Sequence, residues 1–524
     1  MSGVSRRRFL AGTAALGLAP LLGRLPAFGG VARRGLQVVR VAVSSPEQAQ
    51  LLNGFDVLCG QSSRHGVDVL LWPGDAERLH LLGLDDYQVL VDELTGTVAP
   101  DAYAGYRLLP DYEAGLRDLA ARFPDRARVF TLPERTFEGR SVYAIEIASN
   151  VGDVDGRPCF YMDGLHHARE WPSAEVSMMF AIDLVEGYDT DERIRGLLDS
   201  VRTIVVPIVN PDGFEHSRRA VVHMAPGAAL EGYWRKNRRS LTEDLILPPL
   251  PDKPSHQDSY GVDANRNYGY HWGGPGASGV HAEQTYRGDS PFSEPESRNV
   301  RSVLTSRPVT AVITNHTYGN LVLRPWGDTW DAPPDDDLLF GLGAKMAATN
   351  GYQNIKGLQL YATTGTTEDY AYAALGALAY TFEHGTSFHP PFEDVLAIYA
   401  QTREAFLIAL EAAANPEWHG IVAGRVVGAN GMQVRAAVNV TKDFVNEGVS
   451  ELWSRPDRID IPTQAGPGGR FELHVGPSTA PVASDTEAYT FVFSAPGYQP
   501  ATRQVVIGRG ERIALGDVVL STAS

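Results

Sequence analysis

Cys159-Phe160-Tyr161-Met162-Asp163-Gly164-Leu165-His166-His167-Ala168-Arg169-Glu170-Trp171-Pro172-Ser173 is the stretch whose reading decides this chain. Residues 159–162 form a short apolar run of the kind that makes a buried strand. Asp163-Gly164 is a turn signal. Pro172-Ser173 opens a helix to about residue 184, with proline at a tolerated early position. His167 and Glu170, with two residues between them, can close on one divalent metal from the intervening loop. Imidazole plus carboxylate is the donor set of a catalytic metal, because a third protein ligand still leaves a position for water. Arg169, between the two, places a fixed positive charge beside that water. His-x-x-Glu also arises by chance on surface loops, so the rest of the chain must supply a third ligand, a base and a hold on substrate.

The same alternation continues outward. Residues 201–209 are a second apolar strand, ended by Asn210-Pro211-Asp212-Gly213, a strong turn signal. Residues 309–314 are a third, followed by Asn315-His316-Thr317-Tyr318-Gly319. Residues 111–123 make an amphipathic helix. Segments 129–132 and 141–147 bracket a hairpin-like turn over 136–140. Segments 338–348, 370–375 and 391–413 read as helices. Apolar strands alternating with helices predict an α/β fold: a doubly wound, mixed, mostly parallel sheet with helices on both faces. Ligands then gather at the carboxyl ends of strands, where the His167, Asn210 and His316 regions fall.

Both flanks differ in character. Segments 36–43, 67–72 and 86–94 are strand-like, 77–82 is helical and 47–52 looks like a helix start. Together they predict a small α+β unit over 36–97. A Pro/Ala/Gly/Thr-rich passage over 95–104 reads as a linker to a central domain over 105–415. Beyond it, short alternating strands at 424–427, 436–440, 470–475, 489–493 and 503–507, separated by Gly/Pro/Asn turns, predict a β-sandwich over 419–524. At the start, Ser5-Arg6-Arg7-Arg8-Phe9-Leu10 leads an apolar run over 9–22. This predicts a twin-arginine export signal over 1–30 and a secreted or cell-envelope location. No other stretch is long and apolar enough to span a membrane.

Composition narrows the function classes. A length of 524 residues implies several domains, and 43% hydrophobic with 21% charged residues is ordinary for a globular protein. A net charge of -17 argues against nucleic acid as a partner. Cys59 and Cys159, far apart and in apolar settings, read as buried free thiols.

His316 is the best third metal ligand. His166 competes with His167, but only His167 has the tight spacing to Glu170. Asp163 or Asp263 can orient the imidazoles, as metal-bound histidines require. Glu383, in Tyr380-Thr381-Phe382-Glu383-His384, ends a β-prone run. A carboxylate there can take a proton from water and pass it to a leaving amine; a solvated strand-end glutamate is the plainer reading. Trp234-Arg235-Lys236-Asn237-Arg238 and Asp263-Ala264-Asn265-Arg266-Asn267 concentrate cations. One arginine can stabilise a developing oxyanion, and another can take a carboxylate bidentately beside an asparagine donor. Surface salt bridges are the plainer reading of both.

Taken in order over about 106–413, these motifs resemble the zinc metallocarboxypeptidases of the carboxypeptidase A/B type. The carriers are His-x-Arg-Glu-Trp at 167–171, Asn-Pro-Asp-Gly-Phe at 210–214, Trp-Arg-Lys at 234–236, Gly-Val-Asp-Ala-Asn-Arg-Asn at 261–267, His-x-Tyr at 316–318 and Phe-Glu at 382–383. The resemblance implies one Zn2+ per catalytic domain, held by His167, Glu170 and His316. It implies Glu383 as general acid/base, Arg235 at the oxyanion, Asn265 and Arg266 on the terminal carboxylate, and Arg169 as a secondary substrate contact. It makes Tyr361 a mobile residue that closes over substrate and Asp263 the partner of the first histidine. Glu368 falls at the residue that sets side-chain preference, where an acidic group favours Lys or Arg; Lys356, near the same pocket, could neutralise it. The implied activity is release of single amino acids from peptide or protein C-termini.

The N-terminal unit resembles the pro-domain that covers the active site of these enzymes until cleaved, although the 95–104 linker has no Lys or Arg for a trypsin-like cut. The C-terminal unit resembles a transthyretin-like sandwich. The Pro-rich stretch 241–257 and the absence of the animal enzymes' disulfide are departures. Two other readings stay in view: a peptidoglycan-directed amidase or endopeptidase of related fold, and a non-catalytic carboxypeptidase-like binding protein. Asn265-Arg266 argues against the first and the filled catalytic positions against the second. Oligomeric state is not legible.

Overall fold

Segments 159–164, 202–206, 309–316 and 378–383 carry almost no polar face, so each can only be satisfied by burial on both sides. In the computed structural model they lie side by side at the centre of one sheet, and every residue in them is buried. Residues 36–45, 48, 51–52, 54–58, 66–72, 74–91, 103–222, 232–240, 261–446, 448–450, 452–476 and 486–523 are described. The export signal, Cys59, half of the 47–52 helix start, most of the 95–104 linker and the 241–257 stretch lie outside them.

The N-terminal part comprises β1 (Gln37–Val41), β2 (Asp56–Val57), β3 (Val67–Leu71), α1 (Asp75–Leu81) and β4 (Tyr87–Val91). Its strands form an antiparallel sheet in the order β2-β3-β1-β4. The two-residue β2 was not foreseen; it is too short to show a periodicity.

The central part runs α2 (Leu109–Arg122), β5 (Ala127–Arg135), β6 (Ser141–Ile147), β7 (Cys159–Gly164), α3 (Trp171–Gly187), α4 (Glu192–Ser200), β8 (Arg202–Val206), α5 (Pro211–Val222), α6 (Pro295–Thr305), β9 (Val309–His316), β10 (Leu321–Arg324), α7 (Asp336–Asn350), β11 (Gln353–Lys356), α8 (Gly357–Leu360), α9 (Thr367–Leu375), β12 (Leu378–Glu383) and α10 (Phe392–Ala414). Eight strands pair in the order β11-β10-β12-β9-β7-β8-β6-β5. The pairings β11–β10, β12–β9, β9–β7 and β7–β8 are parallel, and the other three antiparallel. The expected mixed, doubly wound α/β sheet is therefore present. Helices α3, α7 and α10 pack as one group, and α6 with α9 as another. Phe160, Met162, Ile204, Val312 and Phe382 are fully or almost fully buried between them. Each such side chain contributes about 1.5–3 kcal/mol.

Two local expectations are corrected. Asn210 to Gly213, a turn signal in the sequence, opens α5 instead: Pro211 takes the first helical position, and Asn210 Oδ1 accepts the Gly213 N–H at 2.9 Å. His316 is the last residue of β9 rather than beyond it. Helices α4 and α6 were not anticipated.

The C-terminal part holds β13 (Gly420–Gly428), β14 (Ala437–Asn446), β15 (Arg455–Gln464), β16 (Arg470–Val475), β17 (Thr486–Ser494), β18 (Ala501–Gly508) and β19 (Arg512–Leu520). They form a three-stranded sheet, β16-β13-β19, and a four-stranded sheet, β15-β14-β17-β18. Alternating buried residues such as Val438, Val440, Phe491 and Phe493 face a shared core.

Candidate active site

The loop between β7 and α3 is held tightly. Gly164 packs against the helix start so closely that a Cβ there would lie 2.5 Å from the Ser173 carbonyl oxygen. Ser173 Oγ accepts the Leu165 N–H and donates to the Glu170 carbonyl. Ala168 N–H donates to the Arg235 carbonyl at 2.9 Å, tying this loop to the segment that carries the arginine. His167 and Glu170 are thereby presented over the carboxyl ends of β7 and β9, where His316 stands.

Glu170 Oε1 lies 2.7 Å from His167 Nδ1 and Oε2 lies 2.9 Å from His316 Nδ1. The two Nδ1 atoms are 3.2 Å apart. All three side chains are buried, and they are the one such group among the described residues, with donor atoms within 4.8 Å of one another. Two imidazole nitrogens and a carboxylate turned onto one point repel unless a proton or a cation sits between them. Two neutral nitrogens plus one anionic oxygen is also the donor set that suits Zn2+ in a catalytic position. The residues present therefore fit the metal expected from the sequence.

Asp263 holds this group from behind. Its Oδ1 lies 3.1 Å from His167 Nε2 and accepts the Asn265 N–H at 2.9 Å; its Oδ2 accepts from Arg235 Nε and Nη2 at 3.0 and 2.9 Å. Burial alone would raise the pKa of Asp263, but Arg235, His167 and Arg266 hold it well below the usual carboxylate range. Burial works against the charge on Arg235 too, and Asp263, with Tyr361, Asp56 and Glu170, keeps it firmly protonated. Asp163, the other acid considered for this role, lies 3.6 Å from His166 Nδ1 instead. His166 stands behind the triad, with Nε2 2.8 Å from Tyr268 Oη and 3.1 Å from Thr367 Oγ1.

Glu383 ends β12 and sits in register beside His316 on β9. It is buried, not a solvated strand end. Arg266 is buried, donating from Nε to the Gly276 carbonyl and from Nη1 to the Asn265 carbonyl, both at 2.8 Å. Asn265 Oδ1 accepts from Thr367 N–H and Oγ1 at 2.9 and 3.0 Å. Arg235, Arg266 and Tyr361 line one cavity of about 410 Å3. Asp56 and Val57 of β2 form part of its wall.

Two expectations change here. The Arg169 guanidinium is gripped by both carboxylate oxygens of Asp56 and stacks 4.2 Å from the Phe388 ring centre, so its charge is matched there. The cation near the triad is Arg235, whose Nη1 is 4.0 Å from Glu170 Oε1. Lys356 donates to the carbonyls of Trp330 and Asp331 and lies 3.8 Å from Asp336; no ion pair joins it to Glu368 among the described residues. Glu368 is buried in the first turn of α9, with Oε2 unmatched by any hydrogen-bond donor among the described residues. Asp56 and Thr367 were missed in the sequence, because nothing in their local pattern marks a contact with residues so distant.

Comparison with known proteins agrees with this geometry. The family model described as zinc carboxypeptidase matches residues 112–405. The chain is 29% identical over 333 residues to carboxypeptidase B of Helicoverpa zea, covering 60% of this chain and 72% of that protein. It is 29% identical over 297 residues to carboxypeptidase O of Bos taurus, covering 54% and 72%. The solved structure of carboxypeptidase A from Helicoverpa armigera superposes with a TM-score of 0.61 at 24% identity, over 73% of this chain and 98% of that one, which shows the shared fold. A family match over more than half of the chain, centred on a buried His-Glu-His group, makes this chain a member of the zinc carboxypeptidase family: a metallocarboxypeptidase, hence a hydrolase with Zn2+ as its cofactor.

Proposed function

We propose that the enzyme is exported through its twin-arginine signal and removes single residues from peptide C-termini, favouring Lys or Arg. His167, Glu170 and His316 would hold the ion. When bound there, Zn2+ supplies Lewis acidity, lowering the pKa of a water and polarising a carbonyl. Arg266 and Asn265 bind the terminal carboxylate and fix the substrate's register. Arg235 donates to the scissile carbonyl oxygen as negative charge develops on it. The Glu383 carboxylate takes a proton from the attacking water and delivers it to the nitrogen of the departing amino acid. Asp263 keeps His167 oriented and Arg235 aimed, and Tyr361 closes over the occupied cavity. The observation that carries this is the cavity in which Arg235, Arg266 and Tyr361 meet, with Arg235 also reaching the triad.

Glu368 supports the basic preference, because a buried carboxylate oxygen without a donor is costly until a cationic side chain reaches it. We read the chain as a signal over 1–30, a covering unit over 36–97, a catalytic domain over 105–415 and a sandwich over 419–524. The covering role is supported by the Asp56–Arg169 contact and by the shared cavity wall. Blocked dipeptides that differ only in the last residue, with amidated controls, test the proposal. Equal cleavage of amidated substrates refutes the C-terminal reading and favours a peptidoglycan-directed amidase. Preference for Leu or Phe over Lys and Arg removes the role of Glu368. Arg6→Lys with Arg7→Lys should abolish export.

A further inference from the structure

Described residues of the turn joining β14 and β15 in the C-terminal sandwich touch the catalytic part. Trp453 meets Trp272 edge to face, with ring centres 4.7 Å apart, and the Val449 N–H donates to the Trp272 carbonyl at 3.4 Å. The Asn446 side chain lies where a Cβ on Gly269 would fall, and Val449 lies 3.1 Å from the equivalent point on Gly274. These sandwich residues therefore brace segment 269–276 from one side.

That segment also packs on residues 362–365. Tyr268 N–H donates to Gly365, Gly365 N–H donates to Tyr270, and Thr364 Oγ1 donates to Pro275. Gly276, at φ +75°, approaches the Ala362 carbonyl so closely that a Cβ would lie 1.7 Å from its oxygen. Its own carbonyl takes the Nε–H of Arg266. The brace thus ends on Arg266.

A second arm reaches Asn265. On β15, Asp457 Oδ2 accepts from Tyr370 Oη at 2.9 Å and from Asn446 Nδ2 at 3.1 Å. Tyr370 lies on α9, and Thr367 at the start of the same helix gives both donors to Asn265 Oδ1. Two arms of the sandwich, joined at Asn446, therefore converge on the pair Asn265-Arg266.

We propose that the C-terminal sandwich is a positioning element for substrate recognition: Trp453 and Asp457 hold the segments that aim Arg266 and Asn265 at the terminal carboxylate. This rests on the reading of that pair as the carboxylate grip. Arg509 separately ties the sandwich to the catalytic part through Asp335, with contacts of 2.7 and 2.8 Å. Loss of Trp453 should therefore loosen the grip without detaching the sandwich.

The test uses Trp453→Ala and Tyr370→Phe in the full zinc-loaded chain, each carrying Asp56→Ala so that the contact with Arg169 does not limit access. KM for a blocked dipeptide with a free carboxylate should rise about tenfold to a hundredfold, with kcat within about twofold, since small misplacements of a positioning group cost on this scale. Inhibition by acetohydroxamate, which needs the metal but not the grip, should be unchanged, and Trp453→Phe should restore KM. Arg266→Ala in parallel separates the two levels. If it leaves KM unchanged, the carboxylate reading fails. If it raises KM while Tyr370→Phe and a folded Trp453→Ala both stay within twofold of the parent, the positioning role is overturned. Should Trp453→Ala not fold, Tyr370→Phe alone decides by the same criterion.

Discussion

Replacing Asp56 with alanine should switch on the full-length chain. Asp56 and Arg169 are 2% and 1% exposed, and both carboxylate oxygens face both terminal nitrogens of the guanidinium. Trp72 Nε1 adds a donor to Asp56 at 2.9 Å. Removing one partner of such a pair leaves an uncompensated buried charge and costs about 3–5 kcal/mol. The pair joins β2 to the loop that carries His167 and Glu170, so the cost falls on the covered state alone; once uncovered, Arg169 is hydrated. At about 1.4 kcal/mol per tenfold, the covered-to-open ratio should fall by about 10²- to 4 × 10³-fold. In a zinc-loaded full chain, kcat/KM on a blocked dipeptide should rise toward that factor until the open form dominates. Asp56→Asn, which keeps some hydrogen bonding, should give a smaller rise. Asp68→Asn should give none, because Asp68 pairs with Arg40 inside the N-terminal sheet. An Asp56→Ala chain that is folded and zinc-loaded yet within twofold of the parent would refute the covering role.

Chelation should abolish turnover and added Zn2+ restore it. It should also lower the melting temperature, since an ion at a thousandfold its dissociation constant stabilises by about 4 kcal/mol; activity indifferent to chelator would contradict the assignment of His167, Glu170 and His316. Asp263→Asn removes the charge shared by His167 and Arg235, and zinc affinity, read by competition with a chromophoric chelator, should weaken about 10- to 100-fold. His419 adds a pH dependence. Burial and then Arg509, opposed by the Ala412 carbonyl, push its pKa down to about 3, so it stays neutral in the fold. In the unfolded chain it titrates near about 6.5. Its contribution is therefore present above that pH and lost as pH falls toward 3, amounting to about 2 kcal/mol by pH 5. His419→Phe should flatten the fall in urea-unfolding stability between pH 7 and 5 by that amount, and an unchanged slope would count against it.

Much of the central sheet was legible because a strand buried on both faces must be apolar throughout. Segments 159–162, 309–314 and the run ending at Glu383 announce themselves that way, and they carry the chemistry at their ends. Asn210 to Gly213 misled because its residues serve a turn and a helix start equally well, and only the following α5 separates the two. The partner of Arg169 was not legible because its neighbours in sequence are His167 and Glu170 while Asp56 comes from another sheet. Lys356 was placed near the pocket by its position, but the carbonyls of Trp330 and Asp331 and the Asp336 carboxylate capture it.

The sequence by itself determined the α/β class and singled out His167, Glu170 and His316, together with Arg235, Asn265 and Arg266, for which we propose the oxyanion and carboxylate roles. These sit in short motifs where residue type and local spacing already limit the possible geometry. Only the tertiary structure decided what each of these residues leans on. Asp56 against Arg169, Thr367 against Asn265, and Trp453 reaching Arg266 through Trp272 and Gly276 join residues far apart along the chain. Such contacts form because packing brings whole elements together, and nothing in the local pattern of a lone aspartate, threonine or tryptophan records which distant surface it will meet.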